Sequence, residues 1–186
     1  TSLLRPLVDK AKQLAGVSGP QGENEAAFQV IADHARATAF LIADGVFPDK
    51  AGRSYVLRRI MRRAIRYGTS VGLNEVFFPS VCAEVVKLFS SAYPELEAAA
   101  ATIAEIVRSE EENFRRTLAR GLKLFEGAYK DLAEGEASFP VEVAAELYDT
   151  YGFPIDLSGV LSREKGLSLD ENAVSAEVSR RQGGKG

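Results

Sequence analysis

A chain of 186 residues, 46% hydrophobic and 26% charged, is long enough to bury a core and is far from the composition of a disordered segment. Its 23 basic and 26 acidic residues give a formal charge of -3, so no overall basic excess marks a polyanion binder, and any such surface must come from where the charges sit. A single cysteine, Cys82, and a single histidine, His34, exclude an internal disulfide and leave no metal site of the usual kind; the cysteine usage fits a reducing, cytoplasmic setting.

The helical period dominates and convincing alternating strands are absent, so an all-α fold is expected. A short helix is predicted over Leu3 to Leu14, then the Gly/Pro-rich linker Gly16 to Gly22. A second helix runs from about Glu25 to Ala43, followed by a loop from Asp44 to Gly52. The third, from about Ser54 to Tyr67, has Ser54 as N-cap and Gly68 as stop. Pro94 opens a helix that continues past Glu110-Glu111-Glu112 towards Leu118, and Gly121 and Gly127 weaken its continuation to about Leu132. After a loop from Glu134 to Pro140, a short helix from Val141 to Tyr148 stops at the turn Tyr151-Gly152-Phe153-Pro154. Small helices around Leu157–Lys165 and Glu171–Arg181 finish the chain. The expected organisation is a helix and linker over 1–24, a helical domain over 25–154 and a helical appendage over 155–186. The start at Thr1 without methionine and the glycine-rich end predict a piece of a longer polypeptide. No apolar run reaches membrane-spanning length and no signal peptide opens the chain, so no membrane partner is expected.

The third helix carries the strongest chemical signal. Arg53, Arg58, Arg59, Arg62, Arg63 and Arg66 fall in one stretch without an acidic residue. At about 100° per residue the last five share one arc, with Val56, Leu57, Ile60, Met61, Ala64 and Ile65 on the other. Guanidinium forks match phosphate oxygens, which makes this face a candidate phosphate-backbone surface. The competing expectation is that the arginines pair with Glu110–Glu112 or are solvated. His34 and Cys82 read as structural, since neighbouring helical residues do not face one another and no base activates the thiol. Phe77, Phe78, Tyr148 and Phe153 read as core, whereas Tyr151 is a candidate for stacking on bases.

Four blocks resemble the alanyl-tRNA synthetase family: Ile31 to Val46, Tyr55 to Ala64, Ser109 to Phe114 with Thr117-Leu118 and Arg120-Gly121, and Leu147 to Leu157. They stand in the family's order over most of the chain. The resemblance implies the tRNA-recognition part of a ligase that joins alanine to its tRNA through an alanyl-adenylate made from ATP. It implies recognition of a G·U wobble pair in the acceptor stem by this helical part. ATP and magnesium belong to a catalytic domain whose class II motifs have no counterpart here, and the editing domain is also absent. No cofactor and no catalytic residue is therefore expected in this chain, which should bind without catalysing. Its expected partners are the tRNA acceptor stem and the catalytic and editing domains of the same polypeptide.

By the same resemblance Asp149 is the acceptor that reads the guanine amino group. Many family members have Pro-Ser-Asn where this chain has Pro48-Asp49-Lys50, so Lys50 stands at the position of a second reader. Lysine donates but does not accept. Three readings stay open: Lys50 reads the pair differently, Asp49 substitutes with a local shift, or the position matters less. Two other classes of function also stay open, a helical protein–protein interaction domain and a paralogue with non-specific RNA binding.

Overall fold

The computed structural model describes residues 3–183. Among them the chain is helical, with no strand and one isolated parallel bridge, Ser138 to Ser168. The helices are α1 (Arg5–Leu14), α2 (Glu25–Ala43), α3 (Gly52–Ser70), α4 (Phe78–Phe89), α5 (Pro94–Ala98), α6 (Ala100–Lys130), α7 (Val141–Tyr151), α8 (Ile155–Glu164) and α9 (Glu171–Gly183). The expected all-α class is what the structure shows.

The chain divides between Asn113 and Phe114 into two compact units. In the first, α2 is buried along Ala27, Phe28, Ile31, Ala32, Ala35, Ala39 and Ile42, and α1, α3 and α4 pack on it. Leu7, Val8 and Ala11 of α1 belong to that core, so the stretch set apart as 1–24 in the sequence is built into it. Lys12, 7% exposed, ties α1 to the linker and to α2, with Nζ donating to the Gly19 carbonyl at 2.9 Å and to Glu25 at 2.8 Å. In the second unit the core gathers Phe114, Leu118 and Phe125 of α6 with Phe139, Leu147, Phe153, Leu157 and Leu161. The rings of Phe125 and Phe139 stack at 4.5 Å, and α8 and α9 pack on α7 in one body rather than as an appendage after Pro154.

Three local expectations are corrected. The N-cap of α3 is Ala51, not Ser54, and it makes no side-chain hydrogen bond. Gly68 does not stop α3 but lies inside it, because a Cβ there would sit 2.3 Å from the Phe77 ring; it is a packing glycine. Gly121 likewise does not interrupt α6, and a Cβ on it would lie 2.4 Å from Phe153. In both places close approach of an aromatic ring outweighs glycine's poor helix propensity, about 1 kcal/mol. The turn after α7 is as expected: Gly152 adopts φ 71°, and the Phe153 amide donates to the Leu147 carbonyl at 2.9 Å.

Candidate nucleic-acid interface

α3 buries Leu57, Met61, Ala64, Ile65 and Gly68, and Val56 is 37% exposed rather than core-facing. The apolar stripe is therefore narrower than the sequence pattern implied, and the arginines begin at its edge. Arg58 and Arg62 each donate from Nε to the same Glu110 oxygen at 2.9 Å. Glu110 is 5% exposed and Arg62 9%, so this is an internal ion pair and not an outward face. Burial pushes the Arg62 guanidinium down from its ordinary value while Glu110 opposes that shift. For Arg58 and Arg62 the competing expectation holds, pairing within the domain rather than a place on the phosphate surface, since desolvating Arg62 demands a carboxylate within reach.

The outward remainder is Arg53, Arg59, Arg63 and Arg66. Arg53 is exposed and pairs with Asp44 at 2.9 Å. Arg63 and Arg66 hold their guanidiniums 5.8 and 5.5 Å from the Tyr67 ring, and Arg59 is half-exposed. Ahead of α3, the loop is held by the Asp49 amide donating to the Ser54 carbonyl at 3.1 Å. The Lys50 amide in turn donates to the Asp49 carboxylate at 2.7 Å, leaving both side chains at the surface.

Asp149 lies in the other unit, in the last turn of α7, and is half-buried. None of the described residues donates to its carboxylate. It does not cap the following turn, the role that would have made it purely local. A carboxylate in the last turn also faces the negative end of the helix dipole, which costs about 0.3–1 kcal/mol. Tyr151 is half-exposed two residues on, and its carbonyl accepts from Thr117 Oγ1 at 2.7 Å, which fastens the end of α7 to α6.

The family described as tRNA synthetases class II (A) matches residues 1–185. The chain belongs to that family. It is 46% identical over 181 residues to the alanine–tRNA ligase of Sorangium cellulosum, covering 96% of this chain and 20% of that protein. The alanine–tRNA ligases of Sinorhizobium medicae and Francisella tularensis subsp. novicida are each 46% identical over 97% and 95% of the chain. The chain spans about a fifth of the length of these relatives.

Two acidic residues that sequence reasoning left as a solvated face or generic arginine partners have defined positions. Glu110 holds Arg58 and Arg62, and Glu111, fully buried, accepts from the Phe77 and Phe78 amides at 3.2 and 2.8 Å at the start of α4. Cys82 is core, with burial pushing its thiol up. His34 lies 3.6 Å from Asp33 despite adjacency in sequence, yet burial first and the Arg63 charge second push its imidazole below its ordinary value.

Among the described residues no three His, Cys, Asp or Glu side chains converge. A polar hollow lined by Arg5, Asp9, Lys12, Glu25 and Gln29 already spends its lysine on Gly19 and Glu25. No helix among those residues is long and apolar enough to cross a membrane.

Proposed function

We propose that this chain is the tRNA-recognition part of an alanine–tRNA ligase and that Asp149 reads a G·U pair in the acceptor stem. The observation that carries the reading is the Asp149 carboxylate, half-buried at the end of a helix and without a partner among the described residues. The wide minor groove of A-form RNA exposes base edges to side chains. There the guanine amino group is a donor, and an ionised carboxylate only accepts, so the two are complementary. Arg53, Arg59, Arg63 and Arg66, with Lys50 ahead of them, supply contacts to phosphate that orient the stem without reading sequence, and the Asp49 carboxylate accepts from a ribose hydroxyl. Arg58 contributes as far as its pairing with Glu110 leaves donors to spare. Tyr151 offers a ring to the ribose or base next to the pair.

In this proposal alanine activation with ATP and magnesium, and transfer to the tRNA, are the work of the parts of the ligase beyond these residues, its partners in one polypeptide. The test is anisotropy binding of two acceptor-stem hairpins that differ only in G·U versus G·C. Tighter binding of the G·U hairpin, abolished by Asp149→Ala, supports the reading; equal affinity for both hairpins overturns it. Equal binding is the outcome expected of a non-specific RNA binder.

A further inference from the structure

We infer that the outward face of the second half of α6 is a separate RNA-backbone contact, made by Arg116, Arg120, Lys123 and Lys130. This rests on the tRNA reading above and adds to it a surface that the conspicuous α3 arginines had overshadowed. All four side chains are exposed. At 1.5 Å and 100° per residue they lie within an arc of about 80° and span about 21 Å along the helix.

No described residue forms a hydrogen bond or ion pair with any of the four. Of the nearby acids, Glu112 lies 3.8 Å from Arg108 and Glu126 3.3 Å from Lys165, and neither they nor Asp131 form an ion pair with the four. On α3, by contrast, Arg53, Arg58 and Arg62 each hold a carboxylate. Arg116 and Arg120 at i,i+4, and Arg120 and Lys123 at i,i+3, repel one another, and none of the described residues closes an ion pair on them.

A second observation points the same way. Gly127 sits in the middle of this arc, between Lys123 and Lys130, and is exposed. A glycine in a helix interior is destabilising and usually marks close packing or close approach of something else. At Gly121 the reason is internal, a Phe153 ring. At Gly127 a Cβ would meet nothing within 4 Å, so the fold has no need of the glycine. The missing side chain lets an external chain approach the helix backbone between two lysines. A linear array of positive charge with a gap in it matches the regular charge of a sugar-phosphate strand. Because Thr117 and Gly121 fasten the end of α7 to this same stretch of α6, the stripe and Asp149 belong to one unit.

The probe is an alanine tRNA transcript and its G·C variant, since a face turned away from the core need not meet the short stem. The triple variant Arg116→Gln, Arg120→Gln, Lys123→Gln should bind the transcript about tenfold more weakly at near-physiological salt. The slope of log affinity against log salt should become shallower by about 2–3. The ratio of G·U to G·C affinity should not change. Gly127→Ala should raise Tm and still weaken tRNA binding; unaltered binding would sink the close-approach argument. An unchanged affinity and slope in the triple variant overturns the proposal. So does loss of polyglutamate binding with tRNA binding intact, which would assign the stripe to an acidic protein. If the parent chain shows no G·U preference but keeps the stripe-dependent slope, the pair-reading fails and this inference stands. If the parent binds no tRNA at all, the stripe proposal is overturned along with it.

Discussion

Asp149 is a residue whose charge works against the fold, which separates its stability from the role proposed for it. In the last turn of α7 its charge opposes the helix dipole, and no described residue offers it a donor. Asp149→Ala should therefore leave the urea midpoint of unfolding unchanged or raise it, while removing the preference for a G·U hairpin. A drop in stability of more than about 1 kcal/mol would instead mean that the carboxylate supports the fold. His34 gives the opposite kind of residue, one whose titration belongs to stability. Its imidazole is pushed down by burial and by Arg63, so between its folded and ordinary values the unfolded chain binds more protons. Stability should fall as pH drops below about 6.5, and His34→Gln should flatten that part of the urea-midpoint profile. Glu177, pulled down to about 2 by hydrogen bonds from Arg180 and Arg181, contributes a further loss only below the ordinary carboxylate range.

Helices in this chain are joined by side chains from distant sequence more than by local caps. Glu111 supplies acceptors to the first amides of α4 from 33 residues away, and Glu110 holds two arginines of α3. Glu110→Ala strands the buried Arg62 charge and should cost about 3 kcal/mol in urea unfolding, whereas Glu110→Gln, which keeps an acceptor, should cost less. The glycines of α6 make a paired test of packing. Gly121→Ala forces a Cβ towards Phe153 and should destabilise by about 1–3 kcal/mol. Gly127→Ala meets open space and should stabilise by up to about 1 kcal/mol. A fall in Tm for both variants would mean that Gly127 has a packing role after all.

For the chain as a unit, charge placement matters more than net charge. A formal -3 coexists with a basic stripe on α6 whose four side chains form no ion pair among the described residues, while the acids beside it pair with Arg108 and Lys165. RNA affinity should accordingly fall steeply with salt in spite of the acidic total. The chain alone should bind tRNA yet support no ATP–pyrophosphate exchange; measurable exchange would show that activation chemistry resides in these residues.

The all-α class and most helix ranges were legible because apolar spacing of three and four residues reports the buried face directly. The turn at Gly152 was legible because glycine adopts its positive φ without strain. The four family blocks were legible as strings, and Asp149 with them. What periodicity could not supply was the fate of each arginine. An arc on a helical wheel does not say which of its edges another helix covers, and here Glu110 claims Arg58 and Arg62. It could not separate glycines either: Gly68 and Gly121 sit under aromatic rings, Gly127 under nothing, and the three look alike in sequence. Nor could it free Asp149 from the role of a turn cap, which needed the hydrogen-bond partners in three dimensions. Local spacing determines which face of a helix is apolar; the neighbours that desolvate, pair or leave bare its polar residues come from contacts tens of residues apart.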